Sequence, residues 1–234
     1  MQQRRIMENF LFKLSIMLVP GIFAVVCHEV SHGYIAYKFG DPTAKSMGRL
    51  TLNPLKHIDP IGLLMLFIIK IGWAKPVPVN FNNLRNPKRD MIWVAAAGPV
   101  TNFLLATTSA LLIRGIIEIF DIIPIYLAEP ILLMLVFSVF INLVLALFNL
   151  IPVPPLDGGR VVVGFLPQQL SIAYSKIEPF GMIGIILIVI LFPSILYMLI
   201  VPPLNAGIYF LIGPEALAFL IKNTSIIRLG FLQF

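Results

Sequence analysis

Of the 234 residues, 59% are apolar and 12% are charged, against about 45–50% and about 25% in soluble chains. With a mean hydropathy of +0.95, and with 16 glycines and 19 prolines scattered without a period, the composition excludes disorder and collagen-like repeats and leaves an integral membrane protein. The net charge of +6 does not imply nucleic acid, because the basic residues sit in loops between apolar runs and no nucleic-acid-binding motif accompanies them.

A helix needs about 20 apolar residues to cross the hydrocarbon layer. Four runs reach that length, at 10–37, 91–117, 130–151 and 181–201. The run 61–73, with Lys70 inside it, is too short and predicts a re-entrant or half-depth element. The run 203–221, which contains Gly207, Gly213 and Pro214, is a candidate sixth crossing. The expected fold class is all-α: a polytopic membrane protein with five or six transmembrane helices, a short re-entrant element and a discontinuous helix around 152–159. One transmembrane domain over 1–234 is expected, with its core at 10–166 and C-terminal membrane helices at 181–221.

Loop charge predicts orientation. Nine lysines and arginines lie between Lys38 and Arg89 against Asp41 and Asp59, whereas the 118–129 loop carries only Glu118, Asp121 and Glu129. The first region is expected on the cytoplasmic side and the second outside. Arg160 and Lys176 agree, as do Lys222 and Arg228 if the sixth crossing is real. Arg4, Arg5 and Lys13 disagree, and the larger count prevails. Basic residues, an apolar run and Cys27 also suggest a cleaved signal, but Ala24-Val25-Val26 lacks the small residue that cleavage favours and the run is longer than a signal core. Cys27 is the single cysteine, so no internal disulfide is possible.

The chemistry starts at His28-Glu29-Val30-Ser31-His32. On a helix, positions i and i+4 lie one above the other, so the two imidazoles form a two-toothed metal clamp with the glutamate close enough to take a proton from water. By chance such a motif is expected on the order of 0.001 times in a chain of this composition. Ionisable groups within an apolar span are costly and ordinarily face a cavity and a partner. A catalytic zinc site needs a third donor and an open position. Asp157 is a candidate, in Asn149-Leu-Ile-Pro152-Val-Pro154-Pro155-Leu-Asp157-Gly158-Gly159, where three prolines interrupt the helix and two glycines permit a tight backbone path.

HExxH followed by NxxPxPxLDGG on a later apolar span resembles the site-2 proteases, zinc metalloproteases that cut substrates inside the membrane. Gly98-Pro99-Val100-Thr101-Asn102 resembles a further, weaker family signature, and 52–60 is similar to the compact bacterial and archaeal members, which have no PDZ or CBS domains. The resemblance spans about 20–165. It implies His28, His32 and Asp157 as ligands of one zinc ion and Glu29 as general base. It also implies that Asn149 holds the substrate carbonyl or its oxyanion, with a helix-capping amide as the alternative. The implied substrates are transmembrane proteins or peptides, such as tethered regulators or signal-peptide remnants, and the implied location is a prokaryotic cell membrane.

Several residues have plainer readings. His57 fits either a role behind the metal or a solvated loop position, and the basic loop favours the second. Cys27 points about 100° away from His28 and reads as an inert thiol. Asn102 and Pro99, with Ala95 and Gly98, read as helix packing. The segment 75–80 is extended in character and is either an edge for an unwound substrate or a connecting loop. With the first span leaving the bilayer near Lys38, the metal would lie about 12 Å below the cytoplasmic surface. The rival functions are a metal or ion transporter, which would not need Glu29 at that offset, and a non-enzymatic scaffold, which would not need a complete site.

Overall fold

The computed structural model describes residues 2–68 and 72–225. Its helices are α1 (Gln2–Lys38), α2 (Thr43–Ser46), α3 (Pro60–Ile68), α4 (Pro87–Glu118), α5 (Ile125–Asn149), α6 (Asp157–Phe165), α7 (Gln168–Ser175), α8 (Glu178–Leu191), α9 (Pro193–Ile212) and α10 (Pro214–Asn223). Among the described residues there is no strand, only an antiparallel bridge between Ile58 and Ala74. The fold is all-α.

Among the described residues, four helices are long and apolar enough to cross a membrane: Leu11–Lys38, Pro87–Glu118, Ile125–Asn149 and Pro193–Ile212. A fifth crossing exists if Gln168–Gly181 and Ile183–Leu191, bent by 64° at their junction, form one broken span. The first three match the expected runs. The run 181–201 does not form one helix, because Phe192 leaves helical geometry at φ −133° and ψ 53° ahead of Pro193, as a residue before proline tends to do. The run 203–221 is also divided. Gly213, at φ +86°, ends α9, and α10 is too short to cross. The Arg114 guanidinium donates to Leu211 O at 2.8 Å and Ile212 O at 3.2 Å, satisfying carbonyls at that helix end.

In the run 61–73, α3 ends at Ile68 and Lys70 lies outside the described residues, as does Arg228. The expected interruption around 152–159 is present, because α5 stops at Asn149 and α6 starts at Asp157.

Helices α1, α4, α5 and α9 share one apolar core around Ile16, Ile113, Leu132, Val136, Val139 and Ile208. Their outer faces expose Leu18, Ile22, Leu104, Leu111, Tyr197 and Phe210. Such a continuous apolar exterior belongs against lipid. The 39–86 connection is braced internally by polar contacts. Asp41, fully buried, accepts from Thr43 N, Asn80 N and Asn83 Nδ2 at 3.1, 2.7 and 2.9 Å. Arg49 Nη2 donates to Lys75 O at 2.9 Å. The segment 75–80 is thereby tied at both ends, and it forms no helix.

Candidate metal centre

One turn apart on α1, His28 and His32 face each other edge to face, with ring centroids 4.7 Å apart and planes at 81°. Opposite them stands Asp157, the first residue of α6, carried there by the irregular loop after α5. Its Oδ2 lies 3.1 Å from His28 Nε2 and 3.3 Å from His32 Nε2. One donor atom from each of the three residues falls within 4.8 Å of the other two. His28 and Asp157 are buried.

The second ring nitrogens decide what this cluster suits. His28 Nδ1 lies 2.5 Å from Asn102 Oδ1, and His32 Nδ1 lies 2.7 Å from Val94 O. Both partners are acceptors, so each Nδ1 carries its proton. In the neutral rings both Nε2 atoms present lone pairs to Asp157 Oδ2, a buried oxygen without a hydrogen-bond partner. Three facing lone pairs on two nitrogens and one oxygen repel unless a cation lies among them. The set matches tetrahedral zinc with one position left for water.

Glycines make the geometry possible. A Cβ on Gly98 of α4 would lie 2.5 Å from His28 Nε2 and from His32 Nε2, so any side chain there would strike both rings. Gly158 and Gly159 do the same for the backbone turn. Their Cβ positions would fall 2.3 Å from Leu150 O and 2.5 Å from Pro154 N, which explains why the chain needs two glycines to bring Asp157 back onto α1.

A cavity of about 420 Å³ opens from the cluster and is lined by Glu29, Trp73, Val77, Asn149, Arg160 and Ile185 among others. Glu29 Oε2 accepts from Val77 N at 2.8 Å. Asn149, the last residue of α5, lies on the cavity wall with its Nδ2 donating to Leu145 O at 2.9 Å. All five residues singled out from the sequence therefore border one space.

Other readings change. His57 is buried rather than solvated. Its Nε2 is bonded to Thr51 O at 2.8 Å and it does not line the metal cavity, so it serves to fold the loop. Asn102 does more than pack helices, since it holds the imidazole of His28. The sequence signal for this was the weak 98–102 motif, which carries both Gly98 and Asn102. Nothing local marked the N–H of Val77. Cys27 is half-buried and free.

Comparison with known proteins gives the family. The profile described as Peptidase family M50 matches residues 107–192, which include Asn149 and Asp157. A protein of Bacillus subtilis (strain 168), named "Putative zinc metalloprotease YwhC", is 40% identical over 207 residues, 86% of this chain and 93% of its own length. The chain belongs to peptidase family M50. Further members are more distant. "Putative zinc metalloprotease Rip2" of Mycobacterium tuberculosis (strain ATCC 25618 / H37Rv) is 30% identical over 77% of this chain and 68% of its own. "Zinc metalloprotease MJ0392" of Methanocaldococcus jannaschii is 29% identical over 70% of this chain and 38% of its own. No solved structure matches significantly. Family membership, the donor set and the apolar helices together make this M50 protein a multi-pass membrane metallopeptidase.

Proposed function

We propose that this protein is an intramembrane zinc endopeptidase that hydrolyses peptide bonds of membrane-spanning proteins or peptides. In this reading His28, His32 and Asp157 hold one zinc ion and Glu29 is the general base. The whole of 1–234 works as one transmembrane metalloprotease domain. The observation that carries the reading is the convergence of two Nε2 lone pairs and one carboxylate oxygen on a cavity that also holds a glutamate.

Zinc in that position supplies a Lewis acid for the scissile carbonyl and acidifies water toward a pKa of about 7. Glu29 accepts the proton of the attacking water and returns it to the leaving amine, so no covalent intermediate is needed. Its Oε2 is held by Val77 N–H, which leaves Oε1 for the water. The Asn149 amide has given one N–H to Leu145 O. Its second N–H is available to the substrate carbonyl or the oxyanion.

A helical substrate hides its own amides and must unwind to be cut. The segment 75–80, tied to α1 through Val77 N–H and Glu29 and braced by Asp41 and Arg49 of the preceding loop, offers an extended backbone beside the cavity for the unwound strand. The basic 38–89 region supports a mouth that opens to the cytoplasmic side. Membrane-tethered regulators and signal-peptide remnants are the substrate classes assigned.

The test is purification in detergent with zinc quantified, then incubation with a model transmembrane substrate. Glu29→Gln should keep zinc and lose about 10²–10⁴-fold in rate, and His28→Ala should lose both zinc and cleavage. Undiminished cleavage by Glu29→Gln would remove the assigned base. Zinc flux into vesicles without any cleavage would favour a transporter instead.

A further inference from the structure

Behind His28, a chain of hydrogen-bonded amides and hydroxyls runs through α4 and α5. Asn102 of α4 and Asn142 of α5 are 0% and 1% exposed. His28 Nδ1 donates to Asn102 Oδ1. Asn102 Nδ2 donates to Asn142 Oδ1 at 2.7 Å and to Ala24 O at 3.3 Å. Asn142 Nδ2 donates to Ser138 O at 2.9 Å, with Ser138 Oγ at 3.2 Å. The Ser138 and Ser109 hydroxyls are 2.8 Å apart.

These groups sit beside an apolar core that includes Ala106, Val139 and Leu143. If helix packing were their only purpose, leucine would fill the Asn142 position without two polar atoms to satisfy.

The line has a direction. The carbonyl of Ser138 can only accept, so it takes the NH2 of Asn142 and turns Oδ1 of Asn142 toward Asn102. Asn102 must then present its own NH2 to Asn142 and its Oδ1 to His28. His28 answers with a proton on Nδ1 and a lone pair on Nε2, facing Asp157. If Asn102 were reversed, acceptor would meet acceptor at Ala24 O and at Asn142 Oδ1. The NH2 of Asn102 would then face Nδ1 and shift the ring proton to Nε2, where it blocks a metal.

We propose that Asn142 is a positioning residue for the metal site, fixing the orientation of Asn102 and through it the metal-binding tautomer of His28. This rests on the reading of His28 as a zinc ligand. Groups that orient metal-bound histidines change affinity by about 10–100-fold when removed. Asn142 stands one hydrogen bond further out, so a loss near tenfold is expected.

The test is zinc affinity of the full chain in detergent, by competition with a chelating dye, with the melting temperature measured alongside. The variants are Asn142→Leu, Asn102→Ala, the two combined, and Val139→Ala as a packing control on the same helix. Asn142→Leu should bind zinc about tenfold more weakly than wild type. In the Asn102→Ala background the same change should add less than twofold, because Asn142 acts through Asn102. Val139→Ala should lower the melting temperature without changing affinity. Where Asn142→Leu does not fold, Asn142→Ala takes its place in the cycle.

Wild-type affinity in the Asn142 variant, additive losses in the double variant, or an equal loss in Val139→Ala would overturn the proposal. A wild-type chain that holds no zinc, or His28→Ala with unchanged affinity, would instead overturn the functional reading on which it rests.

Discussion

Gly98 and His28 touch so closely that a single methyl group at position 98 would lie 2.5 Å from the ring nitrogen facing Asp157. The same methyl would strike His32. Gly98→Ala should therefore separate two quantities that ordinarily move together. Helix propensity favours the change by about 1 kcal/mol, while the imidazoles lose their positions. The expected outcome is a folded protein with little or no bound zinc and no activity, read from zinc content against the circular dichroism melt. Full zinc occupancy in this variant would mean that the rings lie elsewhere.

Val77 supplies the one N–H between Pro76 and Pro78, and Glu29 takes it. Val77→Pro removes that donor at a site already flanked by prolines. Losing a hydrogen bond to a charged group costs about 1.5–3 kcal/mol, which corresponds to a fall in kcat of about tenfold or more. Zinc content should not change. Steady-state kinetics with parallel metal analysis would check both halves.

Asp41 lies in the loop after α1. Burial by itself raises its pKa, but the Thr43 hydroxyl, the Asn83 amide and the backbone N–H groups of Asn80 and Thr43 outweigh burial and hold it below the ordinary carboxylate value. A carboxyl whose folded pKa is depressed stabilises the fold above its unfolded pKa, about 3.9, and loses that contribution as pH falls toward the folded value. Asp41→Asn should accordingly be less stable than wild type at pH 7, with the difference shrinking below about pH 4. Thermal melts across pH in detergent would show it, and a constant difference would contradict it.

Metal removal should cost stability as well as activity, because an ion that binds only the folded chain stabilises it by mass action. Chelator should lower the melting temperature of wild type, and zinc should restore it. In His28→Ala, chelator should have no effect on the melt.

What was legible in the sequence was local. His28 and His32 are four residues apart on a strongly apolar helix, and 152–159 announces its own break with three prolines and its return with two glycines. What was not legible depended on approach across the chain. His28 meets Asn102 across a separation of 74 positions, and Glu29 meets Val77 across 48. No periodicity encodes such pairs. His57 read as a surface residue because its loop is basic, yet the chain folds back so that it is buried, with Lys75 N bonded to His57 O at 2.9 Å. The division at Phe192 was hidden by unbroken hydropathy, with Pro193 as its one sign. Gly213 was visible as a glycine, but only its left-handed φ shows that it ends a helix.

Anomalous diffraction at the zinc edge, from crystals of the wild-type protein, tests the central claim most directly. The account predicts a single peak at about 2.0–2.2 Å from Nε2 of His28, Nε2 of His32 and a carboxylate oxygen of Asp157. A zinc peak away from these three atoms, or none in a catalytically active preparation, would contradict it.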